Sequence, residues 1–180
     1  MEENTNVKES VTTRSIGIRF GLIMALVSIA YFVILNTLGV DMSQGFGRWG
    51  SIIYVVAIIF LAHKAFKEQG DGFMSYGQGI GISFWISLIS SVISSIFTYF
   101  YVKFIDLSYL TKMMDKQREA FEAQGMADQQ IDQAMTMTAR FMTPEWIVVF
   151  GVVFGIIFTV IVALIITIFT QKKNPDPFVN

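Results

Sequence analysis

The carboxylates Asp128 and Asp132 stand four residues apart in "ADQQIDQAM", the spacing that places two side chains on one face of a helix. Such a pair could divide a proton between an acid and a base. In so polar a run the same spacing describes a solvated helix face, and no catalytic role is expected for it. His63 is the single histidine, beside Lys64 at the end of an apolar run. It could titrate near neutral pH, but its position reads as that of an interfacial residue at a helix end. With one histidine and no cysteine, the chain lacks material for the common metal sites and for nucleophile–histidine pairs. The glycines of "YGQGIGIS" resemble a phosphate loop only superficially, since neither the strand nor the lysine of that motif is present. Asn36 and Gln78 lie near the ends of apolar runs and read as interfacial or interhelical hydrogen-bonding groups. No catalytic residue, no cofactor and no metal are expected, and the chain is not expected to be an enzyme.

The elements that carry these residues are set by hydropathy. Of 180 residues, 53% are hydrophobic and 15% charged, and the mean hydropathy is +0.56. The charge is segregated from long uncharged blocks, which is the pattern of a bilayer protein rather than of a soluble core. A net charge of −1 gives no basic footprint for nucleic acid. The polar, acidic start "MEENTNVKESVTTR" lacks the pattern of a cleaved signal, so the first span is expected to be retained.

About 20 apolar helical residues cross a bilayer core. On that basis four spans are expected, at residues 16–40, 48–66, 77–102 and 144–170. The second has a short uncharged core, "WGSIIYVVAIIFLA", whose flanking Arg48, His63 and Lys64 can snorkel. The fourth opens with "TPEW": Thr143 can cap, Pro144 sits where a missing N–H costs nothing, and Glu145 complements the positive helix end. Residues 1–15 and 171–180 form polar tails. Seven Lys and Arg lie near the termini and the loop between spans two and three, against six on the other side. Because those six lie mostly in the longer region, where the positive-inside rule has less force, the termini are expected in the cytoplasm.

Small residues recur every four positions in span four, at Gly151, Gly155, Thr159, Ala163 and Thr167. Span three carries Ser83, Ser87, Ser91, Ser94 and Thr98, and span one begins with Gly17, Gly21 and Ala25. Such stripes let helices approach closely. Packing within the bundle is the leading reading; an oligomer seam or a hydroxyl-lined pathway is the other.

Residues 106–142 are charged, mixed in sign, and apolar at helical spacing, which predicts an extramembrane helical hairpin between the third and fourth spans. Gly125 is the expected turn and Asp128 the expected cap of the second arm. Met113, Met114, Phe121, Ile131, Met135 and Met142 offer a possible partner face, since methionine adapts to varied surfaces, though packing of the hairpin on itself or on the bundle is the leading reading.

The order of spans, the segment "KEQGDGFMSYGQGIGISFWISLISSVISSIFTYFY", then "FID", the hairpin with "QGMADQQIDQAM" and the closing "KKNPDPF" resembles the bacterial family labelled domain of unknown function 4199, over nearly the whole chain. "SYGQG" and the hairpin glycine are its more distinctive elements. Two departures stand out: Leu107 in place of a proline, which weakens the expected break before the hairpin, and Ala127 in place of a serine, which moves capping to Asp128. The resemblance implies a small multi-pass protein of the inner membrane and supplies no activity. The expectation is an all-α membrane protein whose hairpin associates with a membrane protein partner or a second copy; the alternative is a channel or facilitator for a small uncharged solute.

Overall fold

The computed structural model describes residues 11–40 and 45–175. Lys8, part of the expected N-terminal tail, and residues 176–180 of the C-terminal tail lie outside that range. Six α-helices account for most of the described residues: α1 (Thr13–Thr37), α2 (Gly45–Gln69), α3 (Tyr76–Phe100), α4 (Tyr109–Ala123), α5 (Asp128–Ala139) and α6 (Pro144–Thr170). A π-helical turn, Tyr101–Ile105, continues α3. Four helical stretches, α1, α2, α3 with its π turn, and α6, are long and apolar enough to cross a membrane.

Local chemistry fixes the ends. Before α1, the Ser15 N–H donates to Thr12 Oγ1 at 3.0 Å and the Thr12 N–H donates to Ser15 Oγ at 3.3 Å, a reciprocal box with serine in the usual glutamate position. The helix stops at Leu38, ahead of Gly39 at φ 68°, so residues 38–40 of the expected first span are not helical. α3 opens with the same device in "SYGQ": the Gln78 N–H donates to Ser75 Oγ at 3.2 Å and the Ser75 N–H to Gln78 Oε1 at 2.7 Å. Gln78 is thus a capping residue rather than an interhelical one. At α6, the Trp146 N–H reaches Thr143 Oγ1 at 3.4 Å, and Pro144 is the first helical residue.

Two compact units divide the structure: one joins the described residues up to Ser90 with those from Ile156 onward, and the other is Ser91–Gly155. In the first unit α1 packs on α2. Its core includes Met24, Val55, Ile58, Ile59, Ala62, Phe66, Ile82 and Ile86. Positions 55, 58, 59, 62 and 66 of α2 repeat at helical spacing, which is why one face of that helix is inside. Gly17 and Gly21 lie against α3: a Cβ on Gly17 would collide with the Trp85 Cβ, and one on Gly21 would come within 2.9 Å of the Ile89 Cβ. The main chain also closes on itself, since Met74 and Lys172 exchange two N–H···O bonds of 2.8 Å.

Large apolar side chains cover the outside of all four long helices, among them Leu26, Ile53, Phe60, Phe84, Phe154, Ile161 and Phe169. A soluble protein rarely exposes contiguous apolar surface on this scale. Against lipid, the same surface needs no protein cover.

Candidate functional site

In the second unit the small residues of α6 meet serines of α3. A Cβ on Gly155 would lie 2.5 Å from Ser91 Oγ and one on Gly151 2.6 Å from Ser95 Oγ. In the first unit, Gly79 of α3 stands in the same relation to Thr167 of α6, at 2.6 Å. Thr159, Ala163 and Thr167 are buried, as are Ser83, Ser87 and Ser91. The α6 stripe is therefore used inside the chain, with helices close enough that glycine or hydroxyl side chains alone fit. On α3 Ser95 joins the buried row, while Ser94 and Thr98 are half-buried, with the Ser94 Oγ itself enclosed. The hydroxyls mostly turn to their own helix: Ser83 donates to Gly79 O at 3.0 Å, Ser87 to Phe84 O at 2.8 Å and Thr98 to Ser94 O at 2.9 Å.

His63 faces the protein interior. It is 0% exposed and joins α2, α3 and α6. Nδ1 lies 2.7 Å from Thr170 Oγ1, and Nε2 lies 3.0 Å from Gly79 O and 3.2 Å from Ser83 Oγ. A carbonyl can only accept, so Nε2 carries the hydrogen; in the neutral ring Nδ1 then accepts from the Thr170 hydroxyl, whose single hydrogen it shares with Ile166 O at 3.0 Å. One turn on, Lys67 Nζ donates to Thr170 O at 2.8 Å. From α3, the Tyr76 hydroxyl donates to Leu164 O at 3.2 Å. This polar knot at one end of the first unit ties together elements far apart in sequence. The spacing of Ile59, Ala62, His63 and Phe66 on the buried face was the available signal for it; adjacency to Lys64 obscured it.

The second unit holds α4 and α5, which pack against each other. Between them Gly125 takes φ 74°. Its N–H donates to Glu122 O at 2.9 Å and the Met126 N–H donates to Phe121 O at 3.3 Å, the paired bonds of a Schellman stop. Asp128 is not the cap of α5. Ala127 holds that place with extended backbone and no acceptor side chain, and Asp128 is the first helical residue. Only the returning half of a capping box remains, the Ala127 N–H donating to Gln130 Oε1 at 3.3 Å. Asp128 instead complements the positive helix end.

The break before α4 does not need the missing proline. Asp106 Oδ1 accepts from the Ser108 N–H at 3.1 Å and from the Ser108 hydroxyl at 2.6 Å, while Lys112 Nζ reaches Oδ2 at 3.2 Å. That local turn competes with helix continuation. Behind it, burial between the helices, with Tyr101 and Asp106 nearby, pushes the Tyr109 phenol up from its ordinary value.

The expected partner face is divided by the structure. Ile131 is 1% exposed and so cannot meet a partner, and Met113, Met114, Phe121, Met135 and Met142 are half-buried. What α5 leaves open is a different stripe, Gln129, Asp132, Gln133, Thr136 and Met137, lining a shallow groove of about 670 Å³. Met137 there is 66% exposed. Asp132 accepts a 2.7 Å bond from Arg118 of α4, and this bond holds the guanidinium pKa above its ordinary value. Asp132 is thus an ion-pair partner, and Asp128 lies on the exposed surface.

Four membrane-length helices with two short helices between the third and fourth define a multi-pass, all-α class of protein. Within that class the chain belongs to a recognised family: the model described as "Protein of unknown function (DUF4199)" matches residues 19–172. No curated protein and no solved structure matches the chain.

Proposed function

We propose that this is a non-enzymatic protein of a bacterial inner membrane whose α4–α5 hairpin, outside the bilayer, associates with a membrane protein partner or with a second copy. One observation carries the reading: α5 presents the open Gln129–Met137 stripe, with Met137 in it, after the hairpin's own interior has consumed Ile131. The close-packing stripe of α6 is occupied by α3 within the chain, which leaves the hairpin as the better candidate for contact with others. The polar outer faces of α4 and α5 suit water rather than acyl chains. The weak excess of Lys and Arg near the termini supports a cytoplasmic placement for them.

The alternative, a channel or facilitator for a small uncharged solute lined by α3 hydroxyls, is less well supported, because those hydroxyls mostly donate to carbonyls of their own helix. The absence of cysteine makes the test direct. Single-cysteine chains bearing Gln133→Cys, with Lys116→Cys on α4 for comparison, are cross-linked in membranes and the products identified by mass spectrometry. A copy or partner captured from position 133 and not from position 116 supports the proposal; the same products from both, or none from 133, refutes it. Solute flux in proteoliposomes would favour the alternative.

A further inference from the structure

In the second unit the large apolar side chains exposed beyond the long apolar faces of α3 and α6 gather at the foot of the hairpin, Met137 of α5 apart. At the end of α3 and just beyond it, Phe100, Phe104, Ile105 and Leu107 are all exposed, Phe104 at 68% and Leu107 at 77%. Where the chain returns, Phe141 and Trp146 are exposed, with ring centroids 5.5 Å apart, and Trp146 stacks on Phe150 at 5.4 Å. The two strings of aromatics stand at one level, because Ile96 and Tyr99 of α3 line a groove of about 340 Å³ together with Glu145 and Val148 of α6. Lys103 reaches back to this level, its Nζ donating to Tyr99 OH at 2.6 Å. Farther out the character changes: the exposed residues of α4 include Lys112, Asp115, Lys116, Arg118, Glu119 and Glu122.

Ile105 closes the last turn of the long helix and Leu107 lies past it, where a hairpin standing clear of the membrane would leave them in water. A cover for them is needed. The surface they belong to is continuous with the apolar exteriors of α3 and α6, both long enough to cross a membrane. It also mixes bare apolar side chains with Tyr, Trp and a reaching Lys, the composition of the headgroup boundary. We infer that the foot of the hairpin is immersed in the lipid interface, with Phe104, Ile105, Leu107 and Phe141 in the upper acyl region, while the charged distal turns stand in water. The hairpin neither clears the membrane nor lies along it. This contact is separate from any partner bound at the α5 stripe.

The test uses the full chain in phospholipid vesicles. Spin labels on Leu107→Cys, Phe141→Cys and Glu119→Cys are compared for collision with oxygen, which concentrates in acyl chains, and with a neutral nickel chelate, which stays in water. Oxygen should dominate at 107 and 141, and the ratio should invert at 119. Nickel dominance at 107 and 141 would overturn the inference, and so would exclusion of both reagents there, the mark of a protein cover. A second measurement avoids altering the foot: with Trp49→Phe and Trp85→Phe, the fluorescence of Trp146 should be quenched by lipids brominated near the headgroup more than by lipids brominated at the chain ends. Equal or absent quenching would count against it.

Discussion

Replacing His63 by alanine and Thr170 by valine, singly and together, isolates one bond of the knot at the α2–α3–α6 junction. His63 is fully buried and its ring nitrogens contact Thr170, Gly79 and Ser83 at 2.7–3.2 Å. Removing a buried side chain of this size costs about 2–5 kcal/mol through lost contacts and the cavity left behind. Thr170→Val removes one hydroxyl, worth about 0.5–1.5 kcal/mol. The informative quantity is the coupling between the two. Side-chain hydrogen bonds between membrane helices average about 0.6 kcal/mol in such cycles and reach about 1.7. The pair bond is short and buried, so its coupling belongs between that average and that maximum, a roughly 3- to roughly 16-fold effect on the unfolding constant. Unfolding of the purified chain in mixed micelles, followed by circular dichroism across a denaturant series, gives all four stabilities. Additive effects, with coupling near zero, would refute the claim that Nδ1 and the Thr170 hydroxyl form a real bond.

Two further outcomes are expected. Gly155→Leu should lower the thermal midpoint sharply in a detergent melt, because its first side-chain carbon already falls 2.5 Å from Ser91 Oγ; Gly77→Ala, with no heavy atom within 4 Å of the added carbon, should not. For Tyr109, the folded pKa lies above the ordinary 10.0, with burial the main cause. Its contribution to stability is therefore fully present below pH 10.0, where the phenol is neutral in both states, and is lost as pH rises from 10.0 through the folded value. Tyr109→Phe should flatten the alkaline stability profile, and an unchanged slope would contradict this.

What could be read from sequence followed from how local each signal is. The spans were legible because a bilayer excludes charge over a fixed length, and the uncharged runs around Leu26, Ile58, Ile86 and Ile157 declare themselves. The Gly125 turn and the Thr143–Pro144 start were legible because backbone chemistry fixes them within a few residues. Asp128 was misread as a cap since Gln130, from inside the helix, holds the Ala127 N–H and lets α5 begin without an acceptor ahead of it. His63 was misread because its partners, Gly79, Ser83 and Thr170, are brought to it only by tertiary packing. The hairpin methionines showed a face, but helical periodicity says which residues share a side, not what that side meets. Ile131 turned inward and Met137 outward, and only the packing of α4 on α5 distinguishes them.

The bond between His63 and Thr170 joins residues 107 positions apart. During synthesis α2 and α3 are made long before α6, so Nδ1 of His63 must wait inside the nascent protein without its native partner. The main-chain closure between Met74 and Lys172 also waits for the end of α6. A chain interrupted before Thr170 would keep the Nε2 contacts to α3 and leave Nδ1 at the end of its second helix without the native partner.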